Sequence, residues 1–183
     1  LTEPTIEKLT ALRLAAMAQA WTEQGKNPKL ASLSFDERFA MLVDAEYLAR
    51  DNRRIDRLLK EAQLRLPDAC IEDIEATPGR GIEKATIRQL GAGGWVKEHL
   101  NVLVCGPTGV GKSYVACALA QAACRRGHRV LYRRAPRLLD ELALARAGGG
   151  YAKVLAKLAR AEILVVDDWG IGTLKEAQRN DVL

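Results

Sequence analysis

The residues Gly106-Pro107-Thr108-Gly109-Val110-Gly111-Lys112-Ser113 carry the spacing G-x-x-x-x-G-K-[ST]. That spacing suits one task. Glycines let the backbone curl so that successive N–H groups face inward around an anion. A helix that starts at the same point adds the positive end of its dipole. Lys112 is placed to reach the β- and γ-phosphates of a nucleoside triphosphate, and the Ser113 hydroxyl to ligate Mg²⁺. The nucleotide-binding set is therefore Gly106, Pro107, Thr108, Gly109, Val110, Gly111, Lys112 and Ser113, with Tyr114 directly after them. The alternative, a glycine-rich turn that binds nothing, fits poorly with the apolar run Val102–Cys105 before it and the helical stretch Tyr114–Ala123 after it.

A second run points to the same chemistry. Ile163-Leu164-Val165-Val166 is followed by Asp167-Asp168-Trp169-Gly170. Four apolar β-formers ending in acid describe a buried parallel strand with carboxylates at its C-terminal edge, where ligand sites of open parallel sheets lie. Asp167 is read as a Mg²⁺ residue acting with Ser113. Asp168 is read as the catalytic base that orients and deprotonates an attacking water, with Lys112 as the second catalytic group. An apolar strand can also end in Asp merely at a turn. The preceding phosphate loop is what gives the acids a functional reading.

These residues need a sheet to hold them. Three strands are expected, Asn101–Cys105, Arg129–Tyr132 and Ile163–Val166, which makes the fold class α/β with a parallel sheet flanked by helices. Doubly wound sheets have more strands than three, and a missing C-terminal part is expected on that ground. Residues 1–68 read as a small helical domain, 69–98 as a connector and 99–183 as an incomplete nucleotide-binding core. In the first segment Ile6, Leu9, Met17, Ala20 and Trp21 recur at near-helical spacing, up to a break at Gly25-Lys26-Asn27-Pro28. Ser34-Phe35-Asp36-Glu37 is a capping box, and the helix behind it runs to about Leu66, where Pro67 stops it. A bend near Asp51-Asn52 is possible. Within the connector, Ile82 to Leu90 has the composition of a short helix.

Charge suggests a partner. The 183 residues hold 28 Lys and Arg against 23 Asp and Glu, a formal charge of +5. Arg50, Arg53, Arg54, Arg57 and Lys60 share one face of the long helix. Such a row either solvates a helix or lies along a phosphate backbone. Arg133, Arg134 and Arg137 belong to a second concentration around one strand, with Tyr132 placed either to stack on a base or to pack in the sheet. The DNA-contact candidates are Arg133, Arg134 and Arg137, then Arg53, Arg54 and Arg57. Neither group contains a recognised base-reading motif. The four cysteines show no C-x-x-C pair, which argues against zinc; Cys117 and Cys124 read as buried free thiols. No apolar run approaches membrane-spanning length and no signal peptide is evident, so a cytoplasmic setting and no membrane partner are expected.

The phosphate loop, the stretch Leu131-Tyr132-Arg133-Arg134-Ala135-Pro136-Arg137, and Asp167-Asp168-Trp169-Gly170 together resemble the IstB-type transposition helper ATPases. These are AAA+ proteins related to DnaC helicase loaders. Leu66-Pro67-Asp68-Ala69-Cys70-Ile71-Glu72-Asp73-Ile74 is similar to the same family's N-terminal region. The resemblance implies an AAA+ ATPase that uses ATP and Mg²⁺, forms a homo-oligomer on double-stranded DNA and recruits or activates a transposase. It also implies a sensor residue and an arginine finger beyond Leu183. Most AAA+ proteins have Glu where Asp168 stands, whereas IstB-like sequences share the Asp. A helicase loader of the DnaC type is the neighbouring alternative. A small-molecule kinase would need a substrate pocket and lid, for which the sequence offers no candidate, and an ATP-binding scaffold without turnover is a further alternative.

Overall fold

The computed structural model describes residues 2–76, 81–170 and 178. The chain divides into two compact units, residues 1–54 and 55–183.

The first unit is helical. Helix α1 spans Thr2–Ala11, α2 Ala15–Lys26, a 3₁₀ turn Pro28–Ser32, and α3 starts at Phe35 and runs to Ala62. The single first helix expected from periodicity is two helices. The chain breaks at Leu12-Arg13-Leu14, where Arg13 adopts a left-handed φ of 60°. No glycine or proline marks that break, so its cause is tertiary. Helix α2 has Leu14 as its N-cap, which offers it no side-chain cap. Its first amides, Ala16 and Met17, instead donate to one oxygen of Glu46 at 3.0 and 3.2 Å. The other Glu46 oxygen accepts from Arg50 Nε at 2.8 Å and Arg53 Nη2 at 3.3 Å, and Arg50 reaches the Arg13 carbonyl at 3.3 Å. Glu46 is only 4% exposed, so this one carboxylate fixes where α2 begins against α3. The capping box forms as expected: Ser34 N donates to Glu37 at 2.8 Å and Glu37 N donates to the Ser34 hydroxyl at 3.3 Å. Helix α3 continues through Asp51-Asn52.

In the second unit, the end of α3 is followed by α4 (Lys84–Gly91), α5 (Gly94–Lys97), α6 (Lys112–Arg125), β1 (Val130–Arg134), α7 (Ala135–Ala147), α8 (Tyr151–Leu158) and β2 (Ile163–Asp167). Helix α3 ends before Pro67, since Gln63 turns left-handed at φ 54°. The compact division falls at residues 54–55, earlier than the boundary at 68 that the Pro67 signal suggests. The reason is burial: Leu58 and Ala62 join Ala120, Ala123, Cys124, Val130 and Ile163 in one apolar cluster. A second cluster gathers Ala69, Cys117, Ala118 and Tyr132. Cys117 and Cys124 are indeed buried free thiols, and burial pushes Cys124 up to about 11.

Strands β1 and β2 pair in parallel, in a register that sets Val130 opposite Ile163 and Arg134 opposite Asp167. Helices α7 and α8 supply the crossover that parallel pairing requires. The third expected strand, 101–105, is not in the sheet. Among the described residues nothing pairs with it, and Leu103 is 87% exposed. An apolar β-forming run is only half of a ladder, and periodicity cannot supply the other half.

Glu46→Ala is expected to destabilise the first unit by about 3 kcal/mol, since it strips a buried carboxylate from two amides and two guanidinium groups. Hydrogen bonding from Arg50 holds the Glu46 carboxyl below its ordinary value. Its contribution is therefore complete above the unfolded-state value and disappears as pH falls through the lowered folded one. Urea melts across an acid pH series check both points: the parent should lose stability there, and Glu46→Ala should lose less.

Candidate functional site

The phosphate loop lies directly before α6. Gly109 and Gly111 take left-handed φ values of 85° and 96°, which side-chain-bearing residues adopt rarely. A Cβ added at either position would meet no atom within 4 Å, so the restriction is the backbone turn itself rather than crowding. Gly111 is the N-cap of α6, and no side chain caps that helix. The amides of its first turn are thus left for an external acceptor. The Lys112 ammonium donates to the Gly106 carbonyl at 2.8 Å and the Pro107 carbonyl at 2.7 Å, which holds it across its own loop.

Helix α6 brings Ser113 to the end of β2, beside the Asp167 carboxylate. The Tyr132 hydroxyl donates to the same carboxylate at 2.5 Å. Tyr132 is 5% exposed, so it is the buried strand tyrosine of the two readings, and it has no open face for a base. Burial raises the Asp167 carboxyl, but hydrogen bonds from Tyr132, Ser113 and the Asp168 amide, with Arg65 nearby, outweigh it and keep the group below its ordinary value. Burial, and then the bond to Asp167, drive the Tyr132 phenol well above its ordinary value. Tyr132 is therefore a donor and Asp167 an ionised acceptor at any physiological pH.

Asp168 follows at a left-handed φ of 58°, a conformation that Asp tolerates better than most residues. Its carboxylate is paired with Arg134, while Arg65 lies 4.0 Å from Asp168 and 3.9 Å from Asp167. Parallel register explains the Arg134 contact, because the residues ending β1 and β2 emerge at one edge. Arg65 was not foreseen. It sits in the loop after α3, and only the packing of that loop on the second unit's core brings it to the acids.

The arrangement brings together the loop, Lys112, Ser113, Asp167 and Asp168. It treats the arginines differently. Arg133 is largely withdrawn, donating to the Tyr132 carbonyl at 2.7 Å and to Gln63 at 3.0 Å, with Glu141 at 3.8 Å. Arg53 is held by Glu46 and by the Ala49 carbonyl at 3.0 Å. Arg54, Arg57 and Arg137 are exposed and have no ion pair or hydrogen bond among the described residues. Sequence spacing locates arginines on a face, but it does not say which acid elsewhere will take them.

Chemically, the site offers uncapped amides and an ammonium for phosphate, a hydroxyl beside a carboxylate for a hard divalent cation, and a second carboxylate next to them. The residues fit a Mg²⁺–triphosphate group.

Comparison with known proteins agrees. The model of the IstB-like ATP binding protein family matches residues 7–183. An insertion sequence IS1162 protein of Pseudomonas fluorescens, named for ATP binding, is 44% identical over 183 residues, which is 100% of this chain and 79% of the relative. An insertion-sequence protein of Sinorhizobium fredii, likewise named for ATP binding, is 40% identical over 183 residues and is covered over 74% of its length. The insertion sequence IS21 protein of Pseudomonas aeruginosa is 30% identical over 169 residues, 92% of this chain and 62% of that protein. On the extent of these matches, the chain belongs to the IstB-like ATP binding protein family.

Proposed function

We propose that this protein is a Mg²⁺-dependent ATPase that assists DNA transposition: it assembles as a homo-oligomer on duplex DNA, engages a transposase, and is reset by ATP hydrolysis. The observation that carries the reading is the Asp167 carboxylate, bonded by Tyr132 and with Ser113 beside it, next to an uncapped phosphate loop and Asp168. The insertion-sequence names of the relatives support the transposition setting over helicase loading.

In this reading the amides from Gly109 to Ser113 hold the β-phosphate, and Lys112 exchanges its two loop carbonyls for phosphate oxygens. Ser113 and Asp167 would hold Mg²⁺, whose chemistry there would be to neutralise charge on the phosphates. Tyr132 keeps the Asp167 carboxylate oriented. Asp168 accepts a proton from the attacking water, and it can do so only when Arg134 releases it. Arg134 also belongs to the basic group beside the sheet. A DNA phosphate that captures its guanidinium would free Asp168, and duplex DNA would thereby accelerate turnover. Arg137, Arg54 and Arg57, exposed and without a side-chain partner among the described residues, are assigned to phosphate contact without base preference.

Lys112→Ala removes charge-assisted bonds that contribute about 1.5–3 kcal/mol each, so ATP affinity should fall by about a hundredfold. Calorimetric titration with ATP checks this, and an unchanged affinity would refute the phosphate assignment.

Asp168→Asn keeps shape and removes the base. ATP should still bind while hydrolysis drops by about a hundredfold or more. If phosphate release proceeds at the parental rate, Asp168 is only a strand-end carboxylate.

Arg134→Ala should raise ATP turnover measured without DNA by several-fold and reduce the further stimulation by duplex. In the same preparations, Arg137→Ala should lower the slope of log affinity against log salt by about 0.9, equally on two unrelated duplexes. A fall in DNA-free turnover on Arg134→Ala would show that the pair supports the base rather than restraining it.

A further inference from the structure

At the other end of α6, within the second unit, lies a cavity of about 420 Å³ that the nucleotide chemistry does not use. Its walls include Ile71, Ile74, Ile87 and Ala122. Ala122 is ten residues beyond Lys112, about 15 Å along the helix at 1.5 Å per residue, so the cavity is distinct from the phosphate loop. Gly91 makes room for it: a Cβ there would come within 2.9 Å of Ile71 Cδ1.

The rim is strongly one-signed. Among the described residues, Lys84, Arg88, Arg125 and Arg126 line it against one carboxylate, Glu72. That carboxylate is already taken by Arg125 at 3.5 Å, and it also accepts from the Cys70 thiol. Arg126 leans on the Ala122 carbonyl at 3.3 Å. Lys84 and Arg88 are exposed and have no hydrogen bond or ion pair among the described residues.

We propose that this cavity is a docking site for an acidic peptide segment of a protein partner, with an apolar side chain as its anchor. Charge complementarity selects an acidic occupant, and the isoleucine-lined floor selects a peptide over nucleic acid. A phosphate backbone would be attracted to the rim but would have nothing to bury against Ile71, Ile74 and Ile87. A peptide with an apolar anchor and carboxylates around it satisfies both parts, the apolar contact supplying affinity and the charges supplying approach and selectivity.

The test uses the full chain and a fluorescein-labelled helical peptide carrying leucines at i and i+4 flanked by glutamates, followed by fluorescence anisotropy. Saturable binding that weakens with salt is expected. Replacing the leucines with alanine should weaken it about tenfold, in line with the loss of a buried aliphatic anchor. Two variants address the protein side: Lys84→Glu with Arg88→Glu reverses the free rim charges, and Ala92→Trp obstructs the mouth from an exposed lining position. Each should weaken the peptide by about tenfold or more while leaving ATP affinity and the thermal melt at parental values. Four results would overturn the proposal. These are no saturable binding, indifference to the leucines, competition by ATP, or a charge-reversed variant that loses duplex DNA affinity but not peptide affinity.

Discussion

Asp167 closes a half-buried strand and loses water there, so its charge depends on the donors around it. The second unit supplies these donors, and partners for the adjacent Asp168, from three separate stretches of chain. Ser113 from the start of α6 sits beside Asp167, Tyr132 from β1 bonds it, Arg134 from the end of β1 pairs with Asp168, and Arg65 approaches both from the loop after α3. Each of these positions depends on the parallel register of β1 and β2 and on the packing of α6 over them. A one-residue slip would turn Tyr132 to the opposite face and separate Arg134 from the acid edge. The sheet is small, but its register is what makes the site.

The same physics recurs in the first unit with a structural outcome. Glu46 is a buried acid satisfied by two helix-start amides and two arginines, and the result is a fixed start for α2. Among the described residues, some arginines pair with acids that are largely covered and others remain in solvent. Arg50, Arg53 and Arg134 belong to the first group, and Arg54, Arg57 and Arg137 to the second. An arginine-rich composition alone overstates the surface available to phosphate, because part of the positive charge is already spent inside.

Much of the site was legible in advance because its parts are local. The phosphate loop, the start of α6 and the strand ending in Asp167-Asp168 are each written in fewer than ten consecutive residues, where turn chemistry and apolar runs have direct backbone meaning. The Ser34–Glu37 capping box is equally local and forms as read. Expectations that required a partner fared worse. The apolar run 101–105 has β character but no ladder partner among the described residues. The long first helix splits at Arg13 because Glu46, more than thirty residues away, captures the amides after the break, with no local breaker.

By itself, then, the sequence determined the glycine-rich loop, the acid pair and the helix that follows the loop, because those features follow from backbone conformations that neighbouring residues enforce. Only the tertiary structure decided which acid each arginine would meet, that Tyr132 would be a buried donor to Asp167, and that Leu58 and Ala62 would belong to the second unit's core. Those outcomes rest on contacts between distant segments. Their energy comes from burial and from charge pairing in a low-dielectric interior, and neither is encoded at any single position along the chain.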